Sequence, residues 1–189
     1  MKNIFKFLKI VLTDYKNAAM LAPTSKYATE KIVKAFGPNV KTVIEYGPGN
    51  GVITRKILSI LPEDGRLIAV EIKPEFIEYL KKINDPRLEV MRDDILEIGR
   101  SLPKADVVVS GIPFSFFPQE KKRDIVRLTA EILKDNGVFI PYQYSLALRK
   151  ILRKFFGEIK WSVEIRNFPT IVFIMAAKKP KKHDGMQID

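Results

Sequence analysis

One short run, Val43-Ile44-Glu45-Tyr46-Gly47-Pro48-Gly49-Asn50-Gly51, has the composition of a ligand cradle. Glycines at 47, 49 and 51 let the backbone turn tightly and let a bound group approach main-chain N–H groups. About 20 residues further on stands Glu71, an acid placed to accept hydrogen bonds from ribose hydroxyls. Glycines alone would say little. A strand pattern before them, a helix pattern after them and the downstream acid together point to a nucleoside-type cofactor. Other chemistries are excluded by composition. There is no cysteine, so disulfides and thiolate metal sites are absent. The one histidine, His183, sits in a polar tail, which removes clustered-histidine metal sites and Ser-His-Asp catalysis. Carboxylates, hydroxyls, backbone and a cofactor remain.

The elements that must position these residues follow from periodicity. Thr24 or Ser25 can cap a helix that carries Tyr27, Ile32, Val33 and Phe36 and stops at Gly37-Pro38. Alternation then begins. Strands are read at 41–47, 66–72, 87–94, 105–112 and 137–144, with two more close together at 160–168 and 170–178. Helices are read at 53–61, at 74–83 with Pro74 in the first turn, at 119–134 before Asn136-Gly137, and at 145–157. Strand–helix alternation predicts an α/β fold, a mostly parallel sheet with helices on both faces. The last two strands are too close for a crossover and are expected to be antiparallel neighbours.

The 189 residues suit one domain able to bury a core, and the 46% hydrophobic fraction excludes wholesale disorder. The net charge of +11 favours polyanionic partners, either nucleic acid or an anionic membrane, and a solvated lysine-rich surface is the plain alternative. No charge-free stretch is long enough to span a bilayer, and no secretory leader is read at the N-terminus. Residues 1–20 are expected to form an amphipathic helix. Lys2, Lys6, Lys9 and Lys16 fall within roughly 80° of one another, opposite a wide apolar face. Such a helix either packs on the core or lies in a membrane interface with its lysines toward anionic lipid. The chain is expected to divide into the helix at 1–20, an α/β domain at 21–178 and a polar tail at 179–189.

Glu45-x-Gly47-x-Gly49-x-Gly51 followed by Glu71 resembles the class I S-adenosylmethionine-dependent methyltransferases over roughly residues 20–177. Dinucleotide sites differ, because they need Gly-x-Gly-x-x-Gly and residue 52 is valine. The resemblance implies a Rossmann-like seven-stranded sheet with an antiparallel last strand, and S-adenosyl-L-methionine as cofactor. It implies that Glu45, Gly47, Gly49, Asn50 and Gly51 build the cofactor loop and that Glu71 holds the ribose. It also implies that Ile72 packs on the adenine, and that Asp93 or Asp94 bonds the adenine amino group. Asp94 fits the family pattern better, and Asp93 could instead cap a helix. No metal is implied, and a monomer is expected.

The family's methyl-accepting end corresponds to Ser110-Gly111-Ile112-Pro113-Phe114. Adenine-base methylases carry an Asn or Asp where Gly111 stands, so this position departs from the rRNA adenine dimethylases, which the first motif resembles. Bacterial phospholipid N-methyltransferases are more similar. Ala22-Pro23-Thr24-Ser25 resembles their Ala-Pro-Ser-Ser, Ser110-Gly111-Ile112-Pro113 their Ser-Gly-Leu-Pro, and Asn167-Phe168-Pro169 their Asn-Leu-Pro. That resemblance implies methylation of a phospholipid head-group amine, phosphatidylethanolamine toward phosphatidylcholine. The expected partner is an anionic membrane, and the expected place is the cytoplasmic side of the membrane surface. RNA adenine methylation is the alternative. The residues expected around the reaction are Tyr27, Ser110, Gly111 and Asn167. Tyr27 ranks ahead of Tyr46, Tyr142 and Tyr144 as a proton relay, and Asn167 either closes the pocket or is a turn residue.

Overall fold

The computed structural model describes residues 24–167 and 171–181. The helix expected at 1–20 lies outside the described residues, as does most of the tail. Seven strands form one sheet: β1 (Thr42–Tyr46), β2 (Arg66–Glu71), β3 (Leu88–Arg92), β4 (Ala105–Ser110), β5 (Leu133–Gln143), β6 (Ile159–Glu164) and β7 (Val172–Lys178). Their order is β3-β2-β1-β4-β5-β7-β6. All pairs from β3 to β5 are parallel, while β7 runs antiparallel to both β5 and β6. This is the seven-stranded, mostly parallel sheet with an antiparallel last strand that the family resemblance implied.

Among the described residues six α-helices cover the sheet: α1 (Lys26–Lys34), α2 (Val52–Leu58), α3 (Pro74–Lys81), α4 (Ile95–Ile98), α5 (Gln119–Ile132) and α6 (Arg149–Phe155). Strand alternation divides the core between two faces. Val43, Leu67, Val107 and Val109 point one way, onto Ala28 and Ile32 of α1 and Ile53 and Ile57 of α2. Ile44, Ile68, Val108 and Phe139 point the other way, onto Ile125 and Leu128 of α5 and Leu152 and Phe155 of α6. Burial on both faces is why the central strands read as nearly unbroken apolar runs.

Helix ends follow local chemistry. The Ser25 hydroxyl accepts from the Ala28 N–H (3.3 Å) and starts α1. The Asp94 carboxylate accepts from the Leu96 N–H (3.0 Å) and starts α4, so the acid that caps is Asp94 rather than Asp93. At the end of α5 the expected boundary moves. The helix stops at Ile132, and Leu133 already pairs with Ala105. Residues 134–137 then loop out of register, with Asn136 at φ 63°, before Val138 pairs with Val107. Burying Leu133 in the sheet outweighs another half-turn of helix, because Lys134, Asp135 and Asn136 gain nothing from burial.

Candidate active site

The strand order reverses between β2–β1 and β1–β4, which opens a crevice at the carboxyl ends of the strands. A cavity of about 440 Å³ lies there. One wall is the glycine loop. Gly47, Gly49 and Gly51 have φ of 65°, 57° and 77°, conformations that side chains resist. A Cβ at Gly49 would meet nothing within 4 Å, so the open side of this turn faces free space in the crevice. Gly51 caps α2 and donates its N–H to the Pro48 carbonyl (3.1 Å).

Glu71 closes the loop from β2 and is only 5% exposed. Its Oε2 accepts from the Gly49 N–H (3.1 Å), and its Oε1 accepts from the N–H groups of Ile72 (2.9 Å) and Lys73 (3.0 Å). The carboxylate therefore sets the loop shape before any ligand arrives. Ile72, at the cavity mouth, is 60% exposed and presents an apolar surface there. Beneath the loop, Glu45 is fully buried. Its Oε2 accepts from the Thr54 hydroxyl (2.7 Å), and its Oε1 has no partner. Burial, reinforced by the nearby Glu71 charge and opposed by the Thr54 hydrogen bond, pushes its carboxyl up to about 7.

Asp93 and Asp94 form the next wall. Asp93 accepts from the Asp94 N–H (2.8 Å), and Asp94 Oδ2 pairs with Lys121 of α5 (3.2 Å). The end of β4 supplies Gly111, Ile112 and Pro113. This turn is clamped by Gln143. Its amide oxygen accepts from the Phe114 N–H (3.1 Å), and its Nε2 donates to the carbonyls of Ile112 and Tyr142 (2.8 Å each). Tyr142 and Tyr144 line the cavity beside it.

A latch joins the last hairpin to the start of α1. Asn167 Oδ1 accepts from the Ser25 N–H (2.8 Å), and Asn167 is 2% exposed. Glu164, buried at the end of β6, pairs with Lys31 (3.0 Å) and with Arg166 (2.7 Å). These partners hold its carboxyl well below the usual range, the Arg166 hydrogen bonds contributing most. The latch places Thr24 in the cavity wall.

Of the residues singled out from sequence, Gly47, Gly49, Asn50, Glu71, Ile72, Asp93, Asp94 and Gly111 meet around this one cavity. Glu45, Gly51 and Ser110 stand behind its wall, with Ser110 fully buried and its hydroxyl accepting from the Ile112 N–H (3.4 Å). Asn167 belongs to the latch. Tyr27 is there too, its ring 4.0 Å from the Arg166 guanidinium carbon, and neither residue lines the cavity. Tyr46 is fully buried, its hydroxyl accepting from Thr129 (3.3 Å). Sequence reasoning missed Gln143 and Lys121. An amide ending the apolar strand GVFIPYQ is a readable signal for the first. The lysine in the first turn of α5 carries none.

Residues 43–137 match a family described as a methyltransferase domain. The chain is also 31% identical over 182 residues to an ornithine lipid N-methyltransferase of Singulisphaera acidiphila, covering 89% of this chain and 93% of that protein. The chain belongs to the S-adenosylmethionine-dependent methyltransferases. A second relative, a probable ribosomal RNA small subunit methyltransferase A of Pyrobaculum islandicum, is 38% identical over 78 residues, 41% of this methyltransferase and 31% of that protein. Among solved structures, the N-methyltransferase NodS of Bradyrhizobium japonicum WM9 in complex with S-adenosyl-l-homocysteine superimposes with a TM-score of 0.71. It has 12% identity and covers 93% of this chain and 97% of that one, a likeness of fold.

The cofactor of this methyltransferase is S-adenosylmethionine, and the crevice suits it. The glycine turn leaves main-chain space that a Cβ would fill, and the Glu71 carboxylate is held at the cavity wall by the Gly49 N–H. Ile72 offers an apolar face at the mouth. Among the described residues no acidic or histidine cluster could hold a metal ion, and no helix is long and apolar enough to cross a membrane.

Proposed function

We propose that this methyltransferase N-methylates the primary amine of a membrane aminolipid, phosphatidylethanolamine toward phosphatidylcholine, working at the membrane surface. One observation carries the reading: the similarity to a lipid amine N-methyltransferase runs almost end to end, across 182 residues. The cavity chemistry agrees with it. Gly111 offers no Asn or Asp to engage a planar base, and Ile112, Pro113, Phe117 and Val172 make an apolar wall. An ammonium entering such a wall is pushed toward its neutral form, which is the nucleophile. When bound, S-adenosylmethionine supplies a methyl on a sulfonium; the amine lone pair forms the N–C bond as C–S breaks, the electron pair stays on sulfur, and the amine later loses a proton to water. In this reading Glu71 binds the ribose, Ile72 covers the adenine, and Asp93 and Asp94 meet its polar edge. The Gln143 clamp keeps the methyl-accepting turn rigid.

RNA methylation is the second reading, favoured by the 78-residue match to a probable ribosomal RNA small subunit methyltransferase. Radiolabelled S-adenosylmethionine offered together with phosphatidylethanolamine vesicles, ornithine lipid vesicles and ribosomal RNA separates the two. Label in aminolipid supports the proposal, and which vesicle is labelled identifies the head group. Label in RNA alone refutes it. For the membrane, removal of residues 1–16 should abolish sedimentation with anionic vesicles while cofactor binding persists. Unchanged sedimentation would show that this segment is not the anchor.

A further inference from the structure

Gly111 lacks the side chain that base methylases use at this position, yet the space is not vacant. A Cβ on residue 111 would overlap Tyr142 Oη outright, and would come within 2.8 Å of Tyr142 Cζ and 2.9 Å of the Gly47 carbonyl oxygen. The phenol hydroxyl of β5 thus stands at the end of β4, next to the cofactor loop, and Tyr142 lines the cavity. Its placement is constrained from three sides. Its backbone pairs with Ile174 of β7, its carbonyl accepts from Gln143 Nε2, and its phenol group is hydrogen-bonded with the Thr24 side chain.

We propose that Tyr142 Oη is the hydrogen-bond acceptor that orients the substrate amine, so that the Gly111–Tyr142 pair selects a tetrahedral aliphatic amine over a planar base. This rests on the lipid-amine reading and names the residue that would deliver it. A glycine at 111 is required because any side chain there would displace the phenol. The phenol accepts an N–H and does not take the proton. Enclosure, with the Glu45 charge adding to it, holds its pKa far above that of an ordinary tyrosine, so the oxygen stays a neutral acceptor. The nitrogen becomes positive as the N–C bond forms, which strengthens its N–H donation in the transition state relative to the ground state. The proton it finally sheds goes to water.

A consequence separates this role from mere packing. An unmethylated amine has two N–H groups in its neutral form, a monomethyl amine one and a dimethyl amine none. Tyr142→Phe should therefore slow methylation of phosphatidylethanolamine and its monomethyl form by about tenfold or more, the size expected of a charge-assisted hydrogen bond. It should leave the dimethyl lipid nearly unaffected. Calorimetric affinity for S-adenosylhomocysteine and the thermal midpoint should stay as in wild type. In the protein saturated with S-adenosylhomocysteine, the variant should bind lysophosphatidylethanolamine severalfold more weakly and lysophosphatidylcholine, which has no N–H, equally well. Thr24→Val, which removes the hydroxyl bonded to Tyr142 and leaves the ring intact, should show a smaller loss in the same substrate order, and serves if the phenylalanine variant does not fold. Equal slowing of all three lipids, a matching loss of S-adenosylhomocysteine affinity, or wild-type rates would overturn the assignment. A wild-type enzyme that labels RNA and no aminolipid refutes the lipid reading beneath it, a result visible before any variant is made.

Discussion

Glu45 should make this protein less stable as pH rises through neutrality. Its carboxyl is fully buried with one oxygen unpartnered, and it titrates at about 7 instead of 4.5. Between those values the folded chain holds a proton that the unfolded chain has released. The contribution to stability is complete below the unfolded value and is gone above about 7. At about 1.4 kcal/mol for each pH unit of displacement, two to three units amount to about 3 kcal/mol. Glu45→Gln keeps the shape and the acceptor for Thr54 and removes the titration. In urea unfolding at pH 5, 6, 7 and 8, the wild-type free energy should fall relative to the variant by a few kcal/mol across the series, most steeply between 5 and 7. Asp85, held down at about 2 by Arg87, titrates well below this window, and its contribution runs the other way, lost as pH falls. His183 is common to both proteins and cancels in the comparison. Parallel profiles for wild type and variant would refute the reasoning, since the carboxyl would then not be held protonated by its surroundings.

Gly49→Ala should fold, losing about 1–2 kcal/mol for a left-handed residue with a Cβ, because no atom lies within 4 Å of that Cβ; calorimetry should nevertheless show S-adenosylmethionine affinity reduced more than tenfold. Asn167→Ala leaves the Ser25 N–H without its buried acceptor and should cost about 1–3 kcal/mol in urea unfolding, with faster hydrogen exchange at Ser25. Glu164→Gln should destabilise the protein at neutral pH and progressively less in acid, where the wild-type carboxylate also loses its charge; the difference between the two acid-unfolding curves measures it.

The amino-acid sequence by itself determined what depends on near neighbours in the chain. Period-two alternation placed Val43 and Ile44 on opposite faces of one strand, and the spacing of Gly47, Gly49 and Gly51 specified a turn that only glycines can make cheaply. Glu71 was legible because one strand–helix–strand unit has a nearly constant length. Even the antiparallel pairing of β6 and β7 followed from their short connection. Local rules also had limits: either of two adjacent aspartates can cap a helix, and only the φ/ψ values showed that Asp94 does. The tertiary structure alone decided which distant residues share a space. Insertion of β7 between β5 and β6 turns the last hairpin toward α1, which joins Asn167 to Ser25 across 142 positions and draws Tyr27 under Arg166, out of the cavity. Parallel pairing of β4 with β5 brings Tyr142 onto Gly111, filling a space that the sequence shows only as a missing side chain. Strand order and register are properties of the whole sheet, set by which faces can be buried together, so no window of sequence short enough to read by period contains them.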